Sequence, residues 1–237
     1  MEVTIIGAGL AGCEAAWQLA EHGVQVKLYE KKQLVKNEIQ QLNTFAELVC
    51  SNTFRSTSTQ NAVGILKKEL ELLNSFILEC AQKTRIPADD ALAVDRQKFS
   101  QLVDQKIRNH KNIQVFDCEV TKIDENQYTI IACGPLISAE FKQELTRIIG
   151  SQKLFYLDAS APIIKNASID LQQTFFGGRH HQDESYLCLP LTETEFDQFH
   201  QELCNANKVV LKDFEKEIFF QGCQPIEQLA KTSKKSY

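Results

Sequence analysis

The chain of 237 residues carries 26 Lys and Arg against 31 Asp and Glu, a formal net charge of −5, with neither half basic, so nucleic-acid binding would have to come from a local patch of cations. It is 43% hydrophobic and 24% charged, ordinary for a soluble globular protein, and long enough to bury roughly 70% of its unfolded surface without disulfides or metals. No apolar run approaches the ~18 residues of a membrane span, and a strand begins too close to Met1 to leave room for a signal peptide, so no membrane association and a cytoplasmic location are expected.

Val3 to Ile6 is a short β-branched run that predicts a strand. Gly7, Ala8, Gly9, Leu10, Ala11 and Gly12 follow as G-x-G-x-x-G, and a helix is predicted from about Leu10 to Glu21, with Ala15, Ala16 and Leu19 as its small packing face and Gly23 as its terminator. Gln25 to Tyr29 predicts a second strand closing on Glu30, which completes a βαβ unit. Each glycine has a physical task. Gly7 permits the tight turn, Gly9 lets the backbone approach a pyrophosphate on the positive end of the helix, and Gly12 lets helix pack closely on strand. Glu30, 18 residues after Gly12, stands where an acid accepts the ribose hydroxyls of an adenine dinucleotide, and it would repel a 2′-phosphate.

Residues 31–60 are polar and irregular, a length that in a compact domain points to function or disorder. Val63, Leu66, Leu70, Leu73 and Ile77 have the spacing of an amphipathic helix starting at Asn61, and Pro87 ends that region. Arg96 to Asn109 predicts another helix, and Ile113 to Ile123 and Tyr128 to Ile131 predict strands. Ala132-Cys133-Gly134 after the last strand is an A-x-G turn of the kind that recurs in flavoproteins with an N-terminal FAD fold, so Ala132 and Gly134 join the candidate site and FAD is favoured over NAD. After Gly134-Pro135 the pattern changes to short mixed elements, which divides the chain into an FAD-binding part, 1–134, and an inserted α+β subdomain, 135–237. Thr192 and Glu195 make a capping box before a helix lined by Phe196, Phe199 and Leu203; Val209 to Phe220 alternates charged and aromatic residues. The fold class is α/β with a Rossmann-like FAD-binding sheet.

Eight cysteines occur and none forms a C-x-x-C pair, so they are expected to be thiols, most of them small core residues. Cys50, within Phe45 to Asn52, reads on its own as a packed thiol, and Cys223 sits beside Gly222 after an aromatic run, where a substrate could approach closely. His180 and His181 with Asp183 and Glu184 read as a solvated loop rather than a metal site.

The stretches Ile5 to Ala16, Phe45 to Asn52, Asn61 to Gly64, Ala91 to Arg96, Gly134 to Leu136, Asp158 to Ile163 and Phe214 to Cys223 together resemble the bacterial folate- and FAD-dependent tRNA uracil-5-methyltransferases, the TrmFO or Gid family; the glycine motif is shared with the related GidA-type tRNA modification enzymes. The resemblance implies FAD as cofactor, methylenetetrahydrofolate and NAD(P)H as co-substrates, and 5-methyluridine formation in tRNA, or in rRNA as for some relatives. It makes Cys223 the candidate nucleophile that adds to carbon 6 of the uracil and Cys50 the candidate acceptor of the carbon-5 proton or partner in that step, and it implies that Arg55, Arg96 and Asp158 contact cofactor or substrate. Asp89-Asp90 replaces the family's usual glycines, and the family's N-C-P is here Cys188-Leu189-Pro190. Family members continue beyond Tyr237, so a truncated copy with an incomplete sheet and little or no turnover is expected. Another flavin-dependent reductase and a non-catalytic fragment are the competing readings.

Overall fold

The computed structural model of the chain describes residues 1–37, 39–134, 136–150, 164, 166–178, 186–207 and 226–232. Strand β1 (Glu2–Ile6), helix α1 (Leu10–Glu21) and strand β2 (Gln25–Tyr29) form the predicted βαβ unit. There follow β3 (Thr53–Ser56), α2 (Ala62–Leu72), α3 (Phe76–Lys83), β4 (Arg85–Ile86), β5 (Ala91–Val94), α4 (Arg96–Arg108), β6 (Ile113–Phe116), β7 (Thr129–Ile131), α5 (Ala139–Ile149), β8 (Phe175–Gly177), β9 (Tyr186–Cys188), α6 (Glu193–Asn205) and α7 (Ile226–Thr232). The main sheet is parallel throughout, in the order β6-β2-β1-β7, and β3-β5-β4 and β8-β9 form two small antiparallel sheets. This is the α/β, Rossmann-like class read from the sequence.

Side-chain alternation along β1 builds both faces of the main sheet. Val3 and Ile5 enter a core with Leu28, Phe45, Phe76, Phe99 and Val103, while Ile6 meets Phe141 and Leu145 of α5 on the other side. Phe45, Phe76 and Phe99 are wholly buried, each worth roughly 1.5–3 kcal/mol in apolar burial. Helix α1 buries Gly12, Cys13, Ala16 and Ala20, so the packing face is rotated from the expected one and Ala15 and Leu19 are only half-buried. The helix ends as predicted: Gly23 has φ +77°, its N–H donates to Ala20 O at 3.0 Å, and Val24 N–H donates to Leu19 O at 3.0 Å. Helix α1 in turn caps α3, because the Glu14 carboxylate accepts from the N–H groups of Phe76 (3.0 Å) and Ile77 (2.8 Å).

Three expectations are corrected. The helix expected from Asn61 through Ile77 is two helices, α2 and α3, with Asn74 in the left-handed region at φ +57° and Ser75 capping the second. The predicted apolar stripe of α2 faces out: Leu66, Leu70 and Leu73 are exposed, and the buried residues are Gly64 and Lys67. Gly64 decides the orientation, since a Cβ there would stand 1.9 Å from the Ser58 carbonyl oxygen, so only the glycine face can seat on the loop. The strand expected over Ile113 to Ile123 stops at Phe116, because its only ladder partner among the described residues, β2, ends at Tyr29; the last rung is Glu30 N–H to Phe116 O at 3.0 Å. The third correction concerns thiols. Of the seven described cysteines, all unpaired, only Cys13 and Cys80 are buried, and Cys50 is exposed. Burial pushes the Cys80 thiol up to about 11 and Cys13 well beyond its ordinary value.

Helix α6 carries the predicted Thr192–Glu195 capping box. Among the described residues no strand pairs with the outer side of β7, and Tyr128, Ile130 and Ile131 there are exposed. No described helix is long and apolar enough to cross a membrane. Val209 to Phe220, Asp158, His180, His181, Asp183, Glu184 and Cys223 lie outside the described residues.

Helix α5 is tied to the segment before β7 by Glu144, which accepts from Arg147 Nε at 3.0 Å and from the Ile123 N–H at 3.1 Å. These contacts hold its carboxyl down from 4.5 to about 2. The folded value lies below the unfolded one, so the stabilisation is complete above about 4.5 and lost as the pH falls toward about 2. Urea unfolding of the parent and of Glu144→Gln should therefore give a gap in midpoint at neutral pH that closes over that window; a gap persisting in strong acid would contradict the assignment.

Candidate dinucleotide-binding cleft

The turn between β1 and α1 is closed by backbone on three sides. Gly7 has φ +102°, and a Cβ there would lie 2.5 Å from Cys133 Cα and 2.6 Å from Ala132 O. A Cβ on Gly12 would lie 1.8 Å from the Gly7 carbonyl oxygen. Gly9 has more room, with Ala132 O at 3.9 Å from such an atom, and it opens on the cleft. Gly7 and Gly12 thus take the tight turn and the close packing that their spacing predicts.

A cleft of about 420 Å³ lies beyond the carboxyl ends of the parallel strands, where ligands bind in open α/β sheets. Gly7, Gly9, Leu10 and Ala11 form its floor, Glu30 follows β2, Cys118 to Val120 follow β6, and Ala132 to Gly134 follow β7. Helices α2, α3, α4, α5 and α6 each begin with a side chain that accepts a first-turn N–H, from Asn61, Ser75, Asp95, Ser138 and Thr192. Helix α1 begins at Gly9 with no such side chain and no acid in its first turn. Its first residues, Gly9, Leu10 and Ala11, line the cleft, and their N–H groups have no acceptor among the described residues, the arrangement that receives a phosphate.

Glu30 is fixed in place by backbone donors. Its Oε2 accepts from Ala8 N–H at 2.8 Å and its Oε1 from Lys32 N–H at 2.9 Å. Each oxygen keeps a lone pair for a ribose hydroxyl. Ala8 is buried beneath the turn, so its N–H serves Glu30 rather than the cleft. Gly134 has φ +66° and lines the opposite wall. Cys133 also lines the cleft, and burial raises its pKa, which keeps it a neutral thiol.

The walls contain groups the sequence did not single out. Lys32 and Glu47 form an ion pair at 3.2 Å with side chains only 4% and 2% exposed. Lys32 Nζ also donates to Thr44 O at 2.9 Å, and Glu47 accepts from the N–H groups of Gln41 and Leu42. This network pins the loop after β2 against the core; removing one partner of such a pair costs about 3–5 kcal/mol. Lys31 and Glu119 meet at 3.3 Å across the residues after β2 and β6. Only the position of Lys31 and Lys32 directly after Glu30 hinted at these roles. Cys50 is exposed on the loop after Glu47 and does not line the cleft; Arg55 is exposed on β3 and Arg96 opens α4, and neither lines it. The site therefore unites Gly7, Gly9, Leu10, Ala11, Glu30, Ala132 and Gly134, with Ala8 and Gly12 holding its shape.

The parallel sheet, the glycine turn and the acid after β2 define a dinucleotide-binding domain. The family model described as glucose inhibited division protein A matches residues 2–237, and the chain belongs to that family. It is 56% identical over 235 residues to the protein named methylenetetrahydrofolate--tRNA-(uracil-5-)-methyltransferase TrmFO 2 of Mycoplasma mycoides subsp. mycoides SC, covering 99% of this chain and 53% of that one. It is 48% identical over 235 residues to the TrmFO protein of Bacillus subtilis, covering 99% of this chain and 54% of that one. The chain spans about half the length of these curated relatives. A solved structure of Aquifex aeolicus GidA aligns over 56% of this chain and 25% of its own, with 17% identity and a TM-score of 0.43, too slight a likeness to support an argument. The relatives bear the name of the family that the sequence motifs resemble.

Gly12→Ala tests the turn directly. Its Cβ meets a backbone carbonyl that cannot swing away, so α1 must shift, and a loss of at least about 2 kcal/mol in chemical unfolding is expected, typical of overpacking a tight core. Gly23→Ala meets no atom within 4 Å and suffers only the strain of its positive φ, so a cost in Gly12→Ala no greater than in Gly23→Ala would show that the close approach is not needed.

Proposed function

We propose that the chain carries the FAD-binding part of a folate- and FAD-dependent tRNA (uracil-5-)-methyltransferase. The observation that carries this reading is 48% to 56% identity along nearly the whole chain to proteins of that name, laid over a cleft whose free helix amides and buttressed acid suit a dinucleotide. The residues present fit FAD. The amides of Gly9, Leu10 and Ala11 would hold the pyrophosphate, Glu30 would accept the ribose hydroxyls, and Ala132 and Gly134 would let the chain pass close to the cofactor. Bound and reduced, FAD supplies the two electrons that turn a methylene carbon into a methyl group, and NAD(P)H restores them.

The protein's own part is nucleophilic and basic. In this reading the Cys223 thiolate adds to carbon 6 of the uracil, which makes carbon 5 able to take the one-carbon unit of methylenetetrahydrofolate. Cys50 then removes the carbon-5 proton as the carbon–nitrogen bond to the folate breaks, and two-electron reduction of the resulting exocyclic methylene expels the Cys223 sulfur and restores the ring double bond. The exposure of Cys50 supports its part, because a thiol that must meet an RNA base cannot be packed in a core. The division into 1–134 and 135–237 belongs to the same proposal and rests on the change of pattern after Gly134.

Incubation with FAD followed by desalting should leave a protein-bound flavin spectrum; a colourless protein would overturn the cofactor reading. In flavin-loaded protein that is active, or made so by extending the chain to the length of its relatives, Cys223→Ala is expected to abolish methyl transfer from methylenetetrahydrofolate to tRNA while keeping FAD, and Cys50→Ala to reduce it by at least about 100-fold, the usual scale of acid–base catalysis. Near-parental turnover in Cys223→Ala would remove it from the nucleophile's role. A parent that binds FAD and transfers no methyl group would confine the reading to flavin binding.

A further inference from the structure

Lys67 on α2 is a buried cation with no anionic partner. Only 8% of it is exposed, and its Nζ donates to two neutral carbonyls, Ser56 O at 3.0 Å and Val63 O at 3.4 Å. Among the described residues no carboxylate pairs with it, and the charge it feels is a second cation, the exposed Arg55 of β3. Burial first and Arg55 second pull the Lys67 pKa below its ordinary value. The nearby acid Asp90 is bound instead to the Ser56 hydroxyl.

Several other cations of this acidic chain are paired with carboxylates. Lys68 pairs with Glu71, Lys83 and Lys106 share Glu79, Lys98 pairs with Asp95, and Arg108 pairs with Asp104 and Asp117. Two adjacent cations with no carboxylate partner among the described residues, one of them desolvated, form a local point of positive potential that an outside anion would neutralise. The amides of Ala62 and Val63 at the start of α2 have no acceptor among the described residues and add to the same potential. The point lies outside the dinucleotide cleft, so it does not serve the pyrophosphate. Its outer member, Arg55, is exposed and carries the planar fork that matches two phosphate oxygens.

We infer that Arg55 and Lys67 form a phosphodiester-binding point on which an RNA strand rests while its base reaches the flavin site. The inference rests on the tRNA-modifying reading above and adds a position to it. Arg55 makes the direct contact; Lys67, beneath it, supplies charge that water does not screen. In a protein of net charge −5, RNA contact depends on such local points of positive charge.

The test is titration of labelled tRNA with the FAD-loaded chain at several salt concentrations, using the parent, Arg55→Gln, Arg55→Lys and Lys67→Met. Arg55→Gln and Lys67→Met should each weaken binding by about three- to tenfold at low salt, and flatten the dependence of log K on log salt by about one unit of slope. Arg55→Lys should recover the slope, and FAD retention should stay parental throughout. Parental affinity and slope in both charge-removing variants would overturn the site and leave the methyltransferase reading standing. If the parent itself binds no tRNA, the reading fails and the RNA assignment with it; phosphorus-31 line broadening of inorganic phosphate by the parent but not by Arg55→Gln would then reassign the point to a free anion. Should Lys67→Met fail to fold, the exposed Arg55 variants decide the matter alone.

Discussion

Three stretches of backbone meet at Gly7, Gly12 and Ala132 more closely than any side chain would allow, and the other features of the site follow from that approach. With 1.8 Å between the Gly7 carbonyl oxygen and the place a Cβ would take on Gly12, α1 starts directly against the end of β1. The end of β7 is drawn onto the same turn, since Ala132 N–H donates to Ile6 O at 2.8 Å. The N-cap of α1 is Gly9, which has no side chain to cap it, and the first amides of the helix are left to the cleft. With glycine in the cap position the helix gives up only a few tenths of a kcal/mol relative to a capped one, and a phosphate that takes the same donors offsets it.

The remaining charges hold the walls around this point. Glu30 bridges the glycine turn and the backbone of Lys32, and the Lys32–Glu47 pair carries the fixation into the loop that leads to Cys50. Since both partners of that pair are nearly dry, its value is geometric more than energetic: a buried ion pair tolerates few arrangements and so selects one loop conformation. The exposed thiol of Cys50 therefore leaves a loop whose start is anchored to the same elements as the cleft. Arg55 and Lys67 extend this logic outward, to charges the fold leaves uncompensated.

The βαβ unit could be read from residue types alone because steric necessity leaves little choice: strand, three glycines and Glu30 at the expected distance. Helix α4 and the α6 capping box were legible for similar local reasons. Where the reading failed, the deciding contact was distant in sequence. The leucine spacing of α2 shows that an apolar stripe exists but not which way it turns, and Gly64 against Ser58 turns it outward. The strand after Ile113 looked longer than it is because its length is set by β2. The Lys32–Glu47 pair was hidden in a stretch that reads as loop, and the exposure of Cys50 ran against the average behaviour of cysteine. Strand β5 and helix α5, which complete the second sheet and one wall of the cleft, carried no local signal strong enough to stand out.

The central claim is that the uncapped start of α1 receives the pyrophosphate of a dinucleotide. Backbone amide resonances of isotopically labelled protein, followed as FAD is added, test it most directly. The account predicts large shifts at Gly9, Leu10 and Ala11, smaller ones at Gly134, and none at Gly64, whose N–H is already taken by the Asn61 cap at 2.9 Å. Saturable FAD binding with the Gly9 to Ala11 amides unmoved would contradict it.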